Sequence, residues 1–472
     1  MEQLIKAGEI KLVKSNEVTF SKFGIDLPKL DRIPYDTSKT YDKLQNIGVK
    51  FVRLQSGWQK CEKEKGKYDF TWLDEIVDNF LKRGIQPWIT LAAGNKLYSK
   101  KAEDVFGAIG IPPIFSEEEK EGWRNFCKAI AKHFKGRVNM FEIWNEPDMN
   151  WCWKHGASGK EYGSLVIETC KAVREENKDA YMIGGSMACK ESVWWLEEVF
   201  QTGAGKYLNA ISYHIYSPNQ MLSPQATRNF KAIFDKHNLS LDLIQGEQGC
   251  PSNGKGHGAL CKGIWNEYKQ AKMLLCRQVT DLALDLKFTS WFSTVDLIEG
   301  LNGNNHDLKS HLDYGYFGVL SANFDENGVS VGEFEPKKSY YAYQYLCGLL
   351  GKNFVRNENV PILPFKDNYS ELIYDIPVQP EELEITMFKK ENGSWGASYF
   401  KRGNILQNDF ESVTSLLVDY DYTKLRIVDP MTGLIYKIPE ECAKKHIDGV
   451  YKLFDIPVKD YPLFLVTEDF IE

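Results

Sequence analysis

The sequence predicts an α/β fold, a (β/α)₈ TIM barrel with a C-terminal β-sandwich domain, and three observations carry that prediction. From residue 20 to about 345, short apolar runs alternate with amphipathic helical patterns, as βα units on a parallel sheet require. Eight such runs can be counted, near 21–26, 49–54, 86–92, 139–144, 180–184, 209–214, 241–246 and 287–292. Eight strands with intervening helices imply a closed barrel rather than an open sheet. Beyond residue 351 the pattern becomes apolar/polar alternation with turn signals such as ENG and MTG, the mark of an antiparallel sandwich.

The elements read in order as follows. The runs EIKLVK and EVTF within residues 9–20 look like strands, and segment 1–20 is expected to join the sandwich, making that domain discontinuous. The barrel is expected over 21–350. In its second unit Thr71 can cap a helix, Leu73, Ile76, Val77, Phe80 and Leu81 mark one face, and Gly84 follows its end. IQPWITLA (85–92) is then a buried strand. Ser116 and Glu119 form an S-x-x-E capping box, opening a helix with inner face Trp123, Phe126, Cys127, Ile130 and Phe134. Three βα loops are long, 94–115, the Gly-rich 250–261 and 295–336; loops of that length are usually functional, and on a barrel they build the active-site face. KKSYYAYQYLCGLLG (337–351) closes the barrel. Residues 351–472 form the sandwich, through LEITMFKK, WGASYFKR, SLLVDYD, KLRIVDP, GLIYKIP and PLFLVTED.

Composition excludes several partners. Net charge is −7 with acids and bases interspersed, so nothing points to nucleic acid. No apolar run approaches the ~18 residues of a membrane span. The N-terminal stretch lacks the apolar core of a signal peptide, and ten scattered cysteines without a CxxC pair fit reduced thiols; a cytoplasmic location is therefore expected. The 12 Trp and 24 Tyr suit stacking on sugar rings but equally suit a core, so composition alone does not decide.

FEIWNEPDMN (141–150) is the most informative stretch. Its strand ends at Trp144, so Asn145 and Glu146 fall at the C-terminal rim, where barrel catalytic groups sit. A carboxylic acid beside a carboxamide has a use in glycoside chemistry: the acid protonates the leaving oxygen while the amide bonds the sugar 2-OH. LDLIQGEQG (241–249) supplies the partner, with Glu247 ending the seventh strand. Strands four and seven can face each other across the mouth, and a retaining mechanism needs their carboxyl groups about 5–5.5 Å apart. The bland alternatives are a surface Asn-Glu-Pro turn and a helix-capping or Lys-paired Glu247.

With W-N-E-P ending strand four and a Glu ending strand seven, the chain resembles the retaining barrels of clan A glycoside hydrolases. F-E-I-W-N-E-P, H-I-Y on strand six and the trailing sandwich look most like glycoside hydrolase family 39, the β-xylosidase and α-L-iduronidase family. The resemblance implies Glu146 as acid/base, Glu247 as nucleophile and Asn145 as the 2-OH ligand. It implies that Arg53 in FVRLQSGW (51–58) pairs with the nucleophile, that Tyr216 hydrogen-bonds it, that His214 steadies the site, and that Trp291 in TSWFS (289–293) is the sugar-stacking floor. Two departures stand out. Gln55 or Ser56 occupies the place where xylosidase members carry a His, and the nucleophile strand reads G-E-Q-G where members usually read T-E-[FW]. Both put xylose specificity in question.

Further rim candidates are Gln55, Asn95 and Trp153 as substrate ligands, with Trp58, Trp151, His155 and Asp296 nearby. Trp151 and Trp153 could form a subsite wall or packing. The expected function is retaining, exo-acting hydrolysis of β-xylosides or related oligosaccharides, with no metal or cofactor. The partner is a glycoside or oligosaccharide, and homo-oligomerisation is left open. Rival readings are a β-galactosidase, a β-glucosidase, an endo-acting hydrolase, or a catalytically silent carbohydrate-binding barrel.

Overall fold

The computed structural model describes residues 1, 3–103, 110–188, 192–256, 258–298, 314–351, 354–357, 361–365, 383–408 and 410–471. Within the three long loops, 104–109, 257 and 299–313 lie outside the described residues, as does Cys189. Eight parallel strands close a barrel: β1 (Phe23–Leu27), β2 (Phe51–Gln55), β3 (Gln86–Leu91), β4 (Met140–Ile143), β5 (Tyr181–Met187), β6 (Ala210–His214), β7 (Asp242–Glu247) and β8 (Thr289–Trp291). Pairing of β6 with β7 and of β8 with β1 completes the ring. Eight helices follow in turn: α1 (Tyr41–Ile47), α2 (Thr71–Lys82), α3 (Glu117–His133), α4 (Gly159–Glu176), α5 (Val193–Gln201), α6 (Leu222–Lys236), α7 (Glu267–Ala283) and α8 (Lys338–Leu350).

Local sequence explains most boundaries. At α3, Ser116 accepts from the Glu119 N–H, while the Glu119 side chain accepts from the Phe115 N–H, so two orphan donors are satisfied reciprocally. Thr71 is not the cap expected at α2. It is the first helical residue, and Asp69 accepts its N–H.

Strand alternation sorts side chains between the lumen and the helix layer. Trp88, Ile183, Ala210, Ile244 and Phe288 form an apolar plug with Phe51 at the N-terminal end of the lumen, where Phe51 stacks on Phe288 at 4.6 Å between ring centroids. Above the plug the inward residues turn polar, and there the site begins.

The C-terminal region contains two antiparallel sheets. The larger runs in the order Ile5–Glu9, Leu434–Lys437, Leu425–Asp429, Leu463–Thr467, Trp395–Phe400, Glu384–Lys390, Phe354–Arg356. The smaller runs Ile362–Phe365, Ser412–Val418, Val450–Val458, Ala443–Ile447. The N-terminal strand thus lies in the larger sheet, but earlier than the sequence suggests. Residues 10–14 and 17–20 are irregular; they run past the start of β2, where Lys50 reaches the Ser15 and Val18 carbonyls. Strand Trp395–Phe400 is buried along its whole length, as a strand covered on both faces must be.

Helix α7 joins the two regions. Most of its residues are buried, including Lys272, whose ammonium bonds Asp460 and the Gln407 carbonyl. Removing one partner of a buried pair leaves an uncompensated charge. Lys272→Met should therefore lower unfolding free energy by about 3–5 kcal/mol, read from urea denaturation, and Lys272→Met/Asp460→Leu should recover much of the loss. An unchanged urea midpoint in the single variant would contradict this reading.

Candidate active site

The polar layer is organised by one side chain. Arg53 on β2 is fully buried, and all five of its N–H groups have acceptors. Nε donates to Glu142 Oε2 (2.7 Å), Nη1 to Asp26 Oδ2 (3.0 Å) and Glu247 Oε2 (2.7 Å), and Nη2 to Asn145 Oδ1 (2.8 Å) and Ser186 Oγ (3.2 Å). The guanidinium thereby ties together strands β1, β2, β4, β5 and β7. Thr90 on β3 adds a second donor to Glu142 Oε2 at 2.7 Å.

Three carboxyl groups around one cation cannot all ionise cheaply. Burial would raise Glu142, but Arg53, assisted by His214 and Thr90, outweighs it and holds the carboxyl below its usual range. Asp26 goes the other way. Burial, opposed by Arg53 and reinforced by repulsion from Glu247 and Glu142, raises it to about 8. Its Oδ2 accepts from Arg53 and its Oδ1 has no partner among the described residues, so the proton belongs on Oδ1.

Backbone irregularities aim the remaining groups. A bulge between Gly185 and Met187 puts Ser186, at φ 50°, into the lumen. The Ser186 carbonyl accepts the Glu146 N–H at 2.9 Å. Trp144 (φ 68°) and Glu146 (φ 46°) both occupy the left-handed region, at a cost of about 1–3 kcal/mol each. Cross-links hold them there: the Trp144 indole also donates to the Cys152 carbonyl at 2.7 Å. A second bulge, between Gln245 and Glu247, delivers Glu247 to the mouth. Gly246 sits in this bulge because nothing larger fits; a Cβ there would lie 2.2 Å from Ser212 Oγ and 3.4 Å from His214 Nε2.

Glu146 and Glu247 meet around His214. Nδ1 of His214 lies 3.1 Å from Glu146 Oε1 and 3.6 Å from Glu247 Oε2. Burial, with Arg53, lowers the His214 pKa against the opposing pull of Glu247 and Glu142, so the ring is neutral at pH 7. Ser186 Oγ, which accepts from Arg53, is 3.1 Å from His214 Nε2. Because Nδ1 faces carboxylate oxygens of both glutamates, the single ring proton is assigned to Nδ1, which leaves Nε2 to accept from the Ser186 hydroxyl. Tyr216 donates to Glu247 Oε1 at 2.6 Å. One oxygen of each glutamate and the His214 nitrogen lie within 4.8 Å of one another. That donor set could in kind hold a cation, but Arg53 already supplies positive charge at Glu247.

The pair opens into a cavity of about 700 Å³ lined by Gln55, Asn145, Trp151, Tyr216, Phe292 and Phe317, among others. All three long loops contribute, through Gly110, Gly258 with Ala259, and Phe317.

Residues 30–241 match the model of glycosyl hydrolases family 39. Over that stretch the chain is similar to family 39. It is 29% identical over 162 residues to a β-xylosidase of Geobacillus stearothermophilus, a match covering 32% of this chain and 31% of that protein. The chain thus spans about a third of the curated relative's length. A family 39 glycoside hydrolase from Bacteroides cellulosilyticus WH2 superposes with TM-score 0.66 at 19% identity, over 97% of this chain and 83% of that one. A monomeric β-xylosidase from Caulobacter crescentus CB15 superposes with TM-score 0.58 at 16% identity, over 98% and 97%. At those identities the structural likenesses establish the fold.

Against the family 39 expectations, Glu146, Glu247, Asn145, Arg53, His214, Tyr216 and Gln55 converge, whereas Trp291, Trp153 and Asn95 do not. Trp291 is fully buried in the strand–helix layer. Thr289 turns outward to Asp281 on α7, so Trp291, two residues on, faces outward as well. Phe292 has the inward parity and lines the cavity. Trp153 is buried between Trp144 and Tyr162. Asn95 is buried in its loop, donating to the Glu62 carbonyl and accepting from the Leu97 N–H. Trp58 stacks on Tyr98, His155 faces Glu161, and Asp296 pairs with Lys337 at 2.6 Å. Sequence reasoning missed Asp26, Glu142 and Ser186. The two acids were visible as charged residues inside otherwise apolar strands, a placement that demands a partner.

Two outcomes follow. Asp26 holds its proton in the folded chain up to about pH 8, against 3.8 ordinarily, so the folded state binds more protons across that window and stability falls as pH rises through it. Asp26→Asn should flatten the decline in Tm between pH 5 and 9; identical slopes would mean that Asp26 is ionised. Gly246→Ala should destabilise by about 1–3 kcal/mol through overpacking, and Gly246→Ala/Ser212→Ala should regain most of it in the same thermal melts.

Proposed function

We propose that the chain is a retaining β-glycosidase that hydrolyses O-glycosyl bonds by double displacement, with β-xylosides as its first substrate class and exo action as its mode. The observation that carries this reading is the spacing: oxygens of Glu146 and Glu247 lie within 4.8 Å of each other, on the short side of the about 5–5.5 Å typical of retention and well below the 6.5–9.5 Å of inversion.

Glu247 is the nucleophile. Arg53 and Tyr216 each hold one of its oxygens, which fixes the carboxylate for attack on the anomeric carbon. As the new C–O bond forms, Glu146 gives its proton to the leaving oxygen, and the glycosidic bond breaks. A water then attacks the glycosyl-enzyme, Glu146 takes the water's proton, and Glu247 is released. Asn145, oriented by Arg53 through Oδ1, turns its amide toward the sugar 2-OH. Phe292 provides an apolar wall for the sugar face. All three long loops contribute lining residues to the cavity, which favours a pocket over a through-cleft, and hence exo action.

Aryl β-xyloside, β-galactoside, β-glucoside and α-arabinoside should be assayed side by side, with the xyloside expected to give the highest kcat/KM. Glu247→Gln should lose activity by at least on the order of 10⁴-fold, and Glu146→Gln by about 10²–10⁴-fold, least for the best leaving groups. Hydrolysis by Glu247→Gln without an added nucleophile would overturn the mechanism; a faster galactoside would redirect the substrate and leave the mechanism standing.

A further inference from the structure

Trp151 does something that the double-displacement scheme does not use. Its side chain is 55% exposed at the cavity rim, yet its indole Nε1 donates to Glu146 Oε2 at 2.6 Å. The other oxygen, Oε1, faces inward to the fixed Nδ1–H of His214. Oε2 is therefore the oxygen turned toward the cavity, and an indole N–H points at it.

The backbone around Trp151 is anchored on both sides. The N–H groups of Cys152 and Trp153 donate to the Met149 carbonyl at 3.1 and 2.9 Å, and Lys154 N–H donates to the Gly110 carbonyl at 2.8 Å. The Cys152 carbonyl accepts from the Trp144 indole, and the Trp153 ring is buried. With the chain pinned and Trp151 more than half exposed, rotation about the side-chain bonds is the motion open to it. An ionised carboxylate only accepts hydrogen bonds, so an N–H seated on Oε2 must leave before that oxygen can carry a proton along the same direction to a leaving group.

Resting on the assignment of Glu146 as acid/base, we propose that Trp151 is a positioning residue that moves: its indole holds the outward oxygen of Glu146 while the cavity is empty, yields that oxygen to the leaving group when substrate enters, and stacks on the leaving sugar ring. Empty and occupied enzyme therefore hold Glu146 differently. Among the described residues, the titratable groups placed against Glu146 are His214 on β6, Glu247 on β7 and Cys152 on its own loop; both substitutions at Trp151 leave these side chains in place.

The test compares Trp151→Phe, which keeps a ring and removes the N–H, with Trp151→Ala, which removes both. The pH dependence of kcat/KM reports the free enzyme and that of kcat the complex. With the aryl β-glycoside that wild type turns over fastest, both variants should move the basic limb of kcat/KM upward by about 0.4–1 pH unit, the worth of one lost hydrogen bond to the anion. The kcat limb should stay in place. With a disaccharide, Trp151→Ala should in addition raise KM several-fold over Trp151→Phe. Limbs that move together, or a kcat/KM limb that does not move, would overturn the role of Trp151. Glu146→Gln separates the two readings: if it abolishes the basic limb, the limb belongs to Glu146 and the acid/base assignment stands whatever Trp151 does. If it retains wild-type rate and limb, the assignment itself fails.

Discussion

The buried guanidinium of Arg53 is the constraint on which the rest of the molecule depends. Moving a charged group out of water costs several kcal/mol even after relaxation, and the cost is met only where geometry is near ideal and every donor is used. Here five N–H groups meet five acceptors from four other strands. Because one of those acceptors is Glu247, the hydrogen bond that orients the candidate nucleophile also belongs to the set that stabilises the barrel. Function and folding are coupled at this point, and a change in either is felt in the other.

That coupling explains the charge arrangement. Glu142 stays ionised beside Arg53 while Asp26 keeps a proton to about pH 8, so the cation faces Glu142 and Glu247 rather than three full negative charges. The neutral His214 continues the same chain. Ser186 Oγ links Arg53 to His214 Nε2, the two glutamates at Nδ1 set the ring's tautomer, and His214 presents a proton donor to Glu146. A low-dielectric lumen makes such preorganised dipoles effective, and the apolar plug of Trp88, Ile244 and Phe288 beneath them provides it.

Much of this is legible in the sequence. Periodicity located all eight barrel strands within a few residues, since long buried strands bounded by amphipathic helices have few other solutions. Strand ends pointed to Glu146 and Glu247. What escaped depends on single-residue parity or on partners distant in sequence. TSWFS offers Trp291 and Phe292 side by side, and only the outward Thr289–Asp281 bond tells which ring faces the lumen. Trp153 and Asn95 sit on rim loops, but their side chains turn inward to satisfy those loops. The strand Val450–Val458, the longest of the smaller sheet, carries Lys452, Asp455 and Pro457 and so hides its alternation. The N-terminal strand IKAGE has too few apolar residues to announce itself; its pairing with Leu434–Lys437 defines it.

The structure also separates two departures from the family 39 pattern that the sequence could only place together. Gln248 follows Glu247, the candidate nucleophile, but its side chain is buried away from the cavity, donating to Asp281 on α7 and to Thr289 on β8. It braces the end of β7 against the helix layer and cannot touch a sugar. Gly246 before Glu247 is likewise a packing solution, since the space a side chain would need is taken by Ser212. Gln55 differs from both. It lines the cavity, and its Oε1 is already engaged by the Lys29 N–H and Arg32 Nη2. The amide is thereby oriented with its NH₂ group as the donor available to a ligand. Of the altered positions, Gln55 is thus where a difference in sugar recognition can arise, and it presents donors where an imidazole could also have accepted.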